Sequence, residues 1–448
     1  MARELLHSID SIRDIIMFRD IKLLVHMLLP LFVHGIALEI CNPFLMEIIS
    51  SALCPAQSTC PDALYLDNLQ QIVAGFLMVP VLILLCELSD EYGRKPFLLL
   101  TTSASILPVG IAALLALNTS RGFIYAYLGL RCVSYILSLR AVFCIAIAYA
   151  ADVVEDEKRV AAFSWITGVM SASHVLGNVL AKSIPAKYSF VLSIPLMVVC
   201  LVLIHLFMTE TVIRAPITRQ KSQWFILIKL IKERCSSIGY AATTIMTRPS
   251  LRRIYLVSFL YEFGMSGISS VLLFYLKEAF DLKESKSSDT LIIVQIGSVF
   301  SQMLIVPVIN GLAGEKAILC MGLLTSATYA AFYSVAWETW LPYISVSLGL
   351  AYGFVKPSLC AIVSRSSSSN NQGRAQGSLA AIEAIAGFIS PFVMTPLTMW
   401  FLSHNAPFDY KGFGILCSAA SMMAAMFCAM HWKPEATWNH DLKDMLLT

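Results

Sequence analysis

A small set of ionisable side chains lies inside long apolar stretches of the chain, and their chemistry is the strongest indication of function. The set is His34, Glu39, Arg131, Arg140, His174, Glu262, Lys356 and Glu383. A charge at the centre of a bilayer costs roughly 3 kcal/mol or more unless it is paired or hydrated, so such residues usually serve a function. Histidines and carboxylates can carry protons, whereas Arg and Lys bind carboxylate or phosphate groups. We therefore expect proton carriage, chiefly by Glu39 and Glu383 and then by the two histidines, and a solute with an acidic group.

The composition places these residues in a membrane protein. Of the 448 residues, 57% are apolar and only 14% are charged, whereas a soluble domain carries about 25% charged residues. The formal net charge of +3 is too small to indicate a nucleic-acid partner. These values argue against a soluble enzyme, a disordered protein and a nucleic-acid-binding protein.

Twelve charge-poor apolar runs predict twelve transmembrane helices, because a helix needs about 20 residues to cross the hydrocarbon core. The runs lie at roughly 22–49, 68–86, 97–117, 122–150, 163–183, 189–208, 254–279, 289–310, 318–337, 341–363, 376–402 and 411–432. Continuous runs of this length indicate helices rather than the ~10-residue alternating strands of a barrel. The sequence therefore predicts an all-α integral membrane protein.

The runs divide the chain into two six-helix bundles joined by a basic central loop. The predicted N-terminal segment, first bundle, central loop, second bundle and tail lie at 1–21, 22–208, 209–252, 253–432 and 433–448. Most of the Lys and Arg residues fall on the side that holds both ends, which predicts cytosolic termini. The stretch Ala2–Asp20 is open to two interpretations, a helix along the membrane surface or a flexible tail, and it does not look like a secretory signal.

Two cysteines stand apart from the others. Cys54 and Cys60 fall in the predicted first outer loop, where the environment permits a disulfide, and a bonded pair and two free thiols both remain open. The remaining cysteines lie in or beside spans or in the central loop, where Cys packs as a small apolar residue. The sequon at Asn118 is expected to lie too close to the membrane for glycosylation.

A charged loop between the second and third predicted spans reads Leu88-Ser89-Asp90-Glu91-Tyr92-Gly93-Arg94-Lys95-Pro96. Gly93 permits a tight turn. Asp90 can accept backbone N–H groups at a helix end, and Arg94 can grip a carboxylate through two hydrogen bonds. The start of the eleventh span, Gly373-Arg374, corresponds in position to the start of the fifth span at Lys158-Arg159, which indicates an internal repeat.

This loop resembles the cytosolic signature of the major facilitator superfamily, G-x-L-[AS]-D-x-x-G-R-[KR]-x, although Cys86 stands in place of its first Gly. The segment Gly373–Ala381 is similar to the start of the eleventh span in tetracycline-resistance-type drug/proton antiporters. The whole chain resembles plant relatives called hippocampus-abundant-transcript-like, and more distantly the proton-coupled folate transporter family. The resemblance implies the major facilitator fold, with twelve transmembrane helices in two pseudo-symmetric six-helix bundles.

The resemblance also implies a conformational latch. Arg94 would pair with Asp152 at the end of the fourth span, and Asp90 would face the start of the eleventh. The implied latch residues are Asp90, Gly93, Arg94, Lys95, Asp152, Arg159 and Arg374. Together they would hold the two halves in an outward-facing state.

The family's architecture places the first, fourth, seventh and tenth spans around a central cavity, which suggests one ion pair in each half. The expected pairs are Glu39–Arg131 and Glu262–Lys356, and the second is open to a purely structural interpretation. The fifth span departs from the Gly-Pro-rich G-P-x-x-G-G stretch of the antiporters, because Ser173–Asn178 retains only Gly177. This departure leaves the direction of transport open.

These observations predict a secondary active transporter that moves a small organic solute, anionic or xenobiotic, by proton-coupled alternating access. The alternative is a receptor or scaffold that keeps a transporter fold without transporting. The sequence contains no H-E-x-x-H motif, metal-spaced His cluster or glycine-rich phosphate loop, so we predict no enzyme activity and no cofactor or metal. The expected partners are the solute, protons and lipid, around a monomer in the plasma or vacuolar membrane.

Overall fold

The computed structural model describes the greater part of the chain, namely residues 19–53, 61–117, 121–137, 139–212, 248–280, 295–335, 353–403, 406–407 and 410–433. Several expectations lie outside these residues. They concern the stretch before residue 19, the cysteines Cys54 and Cys60, the sequon at Asn118, and most of the central loop.

The first half contains six spans, and each begins before its predicted apolar run. These helices are Arg19–Leu53, Pro61–Tyr92, Arg94–Ser103 with Ile106–Leu117, Arg121–Leu137 with Leu139–Val153, Arg159–Ser183 and Ala186–Phe207. A short 3₁₀ turn, Asp156–Lys158, precedes the fifth span. The ends differ from prediction because polar residues at the bilayer boundary still satisfy the helical hydrogen-bond pattern.

The second half repeats this plan. Its helices are Pro249–Phe280, Gln295–Asn310, Glu315–Ser334, Val355–Arg365, Gln372–Leu402 and Phe413–Met430. Within the described ranges, ten helices are long and apolar enough to cross a membrane, and Gln295–Asn310 is a shorter apolar one. Val355–Arg365 is the described part of the tenth span. The all-α prediction is confirmed, and these elements agree with a twelve-helix major facilitator fold.

Both halves contribute to the main apolar core, and each half has a smaller cluster of its own. Within the first half the first span packs against the fifth and sixth, and within the second half the seventh packs against the eleventh and twelfth. Between the halves, the eleventh span packs against the second and fourth, and the fifth packs against the eighth and tenth. The outer surface exposes large apolar side chains such as Phe76, Leu107 and Phe427, as expected of helices that face lipid.

Glycines of the eleventh span allow its close approach to the second span. A Cβ atom at Gly377 would lie 2.6 Å from the Cβ of Cys86, and one at Gly373 would collide with the Cys86 carbonyl oxygen. Cys86 stands where the family signature has Gly. The glycines that permit the close approach lie on the opposite helix instead, at Gly373 and Gly377. Small residues at such crossings bring helix backbones together.

Candidate functional site

The charged loop forms a compact ion network at the junction of the second and third spans. Gly93 has a backbone φ of 107°, a conformation that residues with side chains rarely adopt, and it breaks the helix there. Arg94 is only 1% exposed. Its Nη2 lies 2.5 Å from Asp90 Oδ1, and its Nε lies 3.0 Å from Asp152 Oδ2. The guanidinium therefore joins the ends of the second and fourth spans.

Asp90 also reaches the other half of the molecule. Its two carboxylate oxygens accept hydrogen bonds from the backbone N–H groups of Gly373 and Arg374, each at 2.8 Å. These donors lie in the first turn of the eleventh span, where N–H groups lack intrahelical partners and the helix dipole favours an anion. The arrangement is the one that the family resemblance implied, with the backbone rather than the side chain of Arg374 meeting the carboxylate.

Glu210, just after the sixth span, is a part of this network that the sequence did not lead us to propose. Its carboxylate accepts hydrogen bonds from the backbone N–H groups of Arg94 at 2.8 Å and Lys95 at 3.2 Å. The Lys95 ammonium donates to the carbonyls of His205 and Met208 at 2.7 and 2.8 Å. The only signal in the sequence is one acidic residue at the end of a span.

A second set of polar contacts joins the halves at this same end of the bundle, which we call the latch end. Arg365 Nη2 donates to the Asp156 carbonyl oxygen at 2.8 Å, and its Nε lies 2.9 Å from Glu315 Oε1. Asn310 Nδ2 donates to the Glu157 carbonyl oxygen at 3.1 Å. Arg159 acts within its own half, because its Nη1 lies 2.7 Å from Asp156 Oδ1.

Four charges from both halves meet deeper in the molecule. Arg140 Nη2 of the fourth span lies 3.3 Å from Glu262 Oε1 of the seventh. Lys356 of the tenth span forms an ion pair with Glu383 of the eleventh, and Ser258 Oγ donates to Glu383 Oε1 at 3.1 Å. The predicted Glu262–Lys356 pair is therefore wrong. Helical rise gives the depth of a residue along its span, but it does not show which neighbouring span the side chain faces.

The other predicted pair, Glu39–Arg131, is also wrong. Glu39 Oε1 lies 2.6 Å from His174 Nδ1 of the fifth span. A side chain at Gly177 would collide with Glu39, so this glycine of the degenerate fifth-span stretch lets the two spans approach. Arg131 instead lies 3.5 Å from Gln70 Oε1, and its guanidinium carbon lies 5.9 Å from the centre of the Tyr127 ring.

A cavity of about 300 Å³ lies between the halves beside these charges. Its lining residues come from the fourth, fifth, eighth, tenth and eleventh spans, namely Arg140, Phe143, Thr167, Met170, Ser171, His174, Gln302, Lys356, Ala380 and Glu383. The Lys356 ammonium also lies 5.3 Å from the centre of the Phe143 ring. The cavity thus combines basic groups with an apolar and aromatic wall.

Gln302 of the eighth span is held in place by both halves. Its Nε2 donates to Ser298 Oγ at 2.9 Å, and its Oε1 accepts a hydrogen bond from Ser171 Oγ at 3.2 Å. The residue lies in a π-helical turn, Ser301–Ile305, a feature that often occurs at functional sites. Nothing in the local sequence predicted that turn.

The eight predicted intramembrane residues therefore fall into three groups. The first group lines the cavity and consists of Arg140, His174, Lys356 and Glu383. The second group pairs with lining residues, Glu262 with Arg140 and Glu39 with His174. Arg131 lies elsewhere. His34 is 1% exposed and is not among the lining residues, and its Nε2 has no hydrogen-bond partner among the residues that the structure describes.

Comparisons with known proteins agree with this architecture. Residues 29–391 match the family described as the Major Facilitator Superfamily. The human hippocampus abundant transcript-like protein 1 is 24% identical over 405 residues, which are 84% of this chain and 75% of that protein. The chain spans 64% of the length of the corresponding mouse protein. The class H tetracycline resistance protein of Pasteurella multocida is 23% identical over 315 residues, covering 69% of this chain and 74% of that one.

A solved structure gives the same result for the fold. The human organic anion transporter MFSD10 (TETRAN) matches with a TM-score of 0.74 and 19% identity, over 92% of this chain and 100% of that chain. The family match covers most of the chain, and the helices, the charged loop and the interface between the halves all follow the family's plan. The chain belongs to the Major Facilitator Superfamily, and it is an integral, multi-pass membrane protein of that transporter family.

Proposed function

We propose that the chain is a proton-coupled secondary transporter of a small organic anion, and that it works by alternating access. The charged cavity between the two halves is the observation that carries this proposal. Four charges and a His–Glu pair lie within the membrane-spanning helices at this cavity, where each charge is costly. A merely structural helix bundle gains nothing from such groups beside a cavity, whereas a transporter needs them to bind and release its cargo.

The contacts at the latch end support the alternating-access part of the proposal. The second and eleventh spans meet through Asp90, and the tenth span reaches the fourth-to-fifth turn through Arg365. Each of these contacts is a hydrogen bond from one half to the other. We assign this end to the cytosol by the positive-inside rule, and on that assignment the latch contacts close the cytosolic side, as expected of an outward-facing state.

The ionisable groups of the cavity support the proton-coupled part. His174 and Glu39 form a pair that can gain or lose one proton, and Glu383 lies behind Lys356 at 2% exposure. The name of one similar protein, an organic anion transporter, supports an organic solute that carries negative charge. Arg140 and Lys356 supply the complementary charge.

The test is uptake by the purified full-length protein in proteoliposomes with an imposed pH gradient. A panel of labelled organic anions, xenobiotics and folate-like compounds is supplied outside, and initial rates are measured with and without a protonophore. We expect saturable uptake of at least one anion that changes with the gradient and collapses with the protonophore. Saturable uptake that ignores the gradient would refute proton coupling. No saturable uptake of any compound would favour the receptor or scaffold alternative.

A further inference from the structure

We propose that Arg140 is the binding site for a ring-bearing organic monocarboxylate, and that Glu262 is the built-in competitor that the substrate carboxylate displaces. This inference rests on the proposed function, since it names the substrate class and the coupling step at the same cavity. It follows from the exposure, geometry and charge balance of the four-charge cluster.

The cavity exposes the two cations of the cluster more than the carboxylate that lines it with them. The side chains of Arg140 and Lys356 are 33% and 27% exposed, whereas that of Glu383 is 2% exposed. Glu262, at 23% exposure, pairs with Arg140 but is not a lining residue. A solute that enters the cavity therefore meets the two cations first. An anion is attracted to them, and a cation is repelled.

The two ion pairs differ in how firmly they are held. Glu383 is fixed by Lys356 and by a hydrogen bond from Ser258. The Arg140–Glu262 pair is a single 3.3 Å contact. Gly387 lies beside that pair, where even an added Cβ would be 3.4 Å from Arg140 Nη2 and 3.8 Å from Glu262 Oε1. The looser pair is therefore the one that an incoming carboxylate can replace, and Arg suits a bidentate carboxylate.

The cavity wall defines the rest of the ligand. Phe143, Met170 and Ala380 form an apolar face next to the cations, and the volume of about 300 Å³ is at the small end of ligand pockets. A compact ring with one carboxylate fits both features. A dicarboxylate would need a second cation, and Lys356 is already committed to Glu383.

Charge balance couples this binding to a proton. Arg140 and Lys356 together neutralise Glu262 and Glu383, so a bound anion would leave one uncompensated negative charge, which is costly in a membrane interior. Lys356, Glu383 and Tyr135 are the charged or titratable groups that interact electrostatically with Glu262 or with its partner Arg140. The displaced Glu262 is the carboxylate without a partner, so it takes the proton.

The displaced contact also joins the two halves. Arg140 belongs to the fourth span and Glu262 to the seventh. When a substrate carboxylate occupies Arg140 and Glu262 is protonated, this ion pair between the halves is lost. Binding of the anion would thereby favour the rearrangement of the halves that alternating access requires.

The experiment measures binding of three isosteres that differ only in charge, namely benzoate, benzamide and benzamidine, to the purified full-length protein. We expect benzoate to bind at least tenfold more tightly than either of the others. Glu262→Gln should tighten benzoate binding about tenfold and make it independent of pH, and Arg140→Gln should abolish it. Glu155→Gln, at a surface side chain that is 81% exposed, is the matched control and should change nothing.

A second measurement on the unmodified protein does not depend on how the variants fold. Benzoate is added to the protein in weakly buffered solution with a pH indicator, and about one proton should be taken up for each benzoate bound. Equal binding of the three isosteres, or benzoate binding without proton uptake, would overturn the inference. If benzoate fails to bind while another solute is transported, the inference fails and the proposed transporter function stands. If no solute is transported, the proposed function itself fails.

Discussion

The Asp90→Asn substitution tests how the latch end is held closed. Asp90 accepts two backbone hydrogen bonds from the eleventh span, both at 2.8 Å, and lies 2.5 Å from Arg94. A hydrogen bond to a charged group contributes about 1.5–3 kcal/mol, and a neutral one about 1 kcal/mol. Asn keeps one acceptor oxygen but loses the charge. We therefore expect the closed arrangement to lose about 2 kcal/mol, which is roughly a 30-fold shift toward opening.

The thiol of Cys86 reports this shift directly. Cys86 is 0% exposed and lies against the eleventh span, so N-ethylmaleimide reaches it only when the two spans separate. Mass spectrometry of the labelled peptide gives the rate, which should rise by about 10- to 30-fold in Asp90→Asn. Cys41, at 1% exposure in the first half, should keep its rate unless the whole bundle loosens. A Cys86 rate within twofold of the unmodified protein, in a variant that is otherwise folded, would refute the reasoning.

Three further outcomes are expected. Gly377→Val should lower the melting temperature by several degrees, because overpacking a close contact costs about 1–3 kcal/mol. Gly110 has nothing within 4 Å of its Cβ position, so Gly110→Val should leave the melting temperature unchanged. Differential scanning fluorimetry measures both variants. His174→Gln should leave substrate affinity within a few-fold of that of the unmodified protein. It should reduce the response of uptake to a pH gradient, because Glu39 loses its histidine partner. A full response in proteoliposomes would contradict a role of the His174–Glu39 pair in proton coupling. Arg365→Lys should weaken the second contact set at the latch end and raise Cys86 labelling a few-fold, and an unchanged rate would show that this contact does not hold the halves together.

The fold was predictable because each of its elements leaves a local signal. Apolar runs of about 20 residues marked the spans. The structure places Asp90 against the eleventh span and Arg94 against Asp152, the contacts that the family resemblance of the Asp90–Lys95 motif implied. Those contacts could be expected only from the resemblance, because the motif by itself does not show which distant residues it meets.

The cavity was less predictable, because its contacts depend on helix rotation. Glu262 and Lys356 do lie in one cluster, but Glu262 pairs with Arg140 and Lys356 pairs with Glu383 rather than with each other. The rotation of each span is set by packing across the bundle, as where Gly177 admits Glu39 beside His174. Such packing involves residues far apart in the sequence, and no local pattern reports it.

The most direct test of the central claim is the gradient response of Glu383→Gln. Uptake of a transported anion is measured in proteoliposomes at several imposed pH gradients, beside the unmodified protein and the surface control Glu155→Gln. We predict that Glu383→Gln loses most of its response to the gradient, because Lys356 then neutralises the bound anion and Glu262 needs no proton, whereas the control keeps its full response. Full coupling in Glu383→Gln would contradict the claim that proton-coupled transport takes place at the charged cavity between the halves.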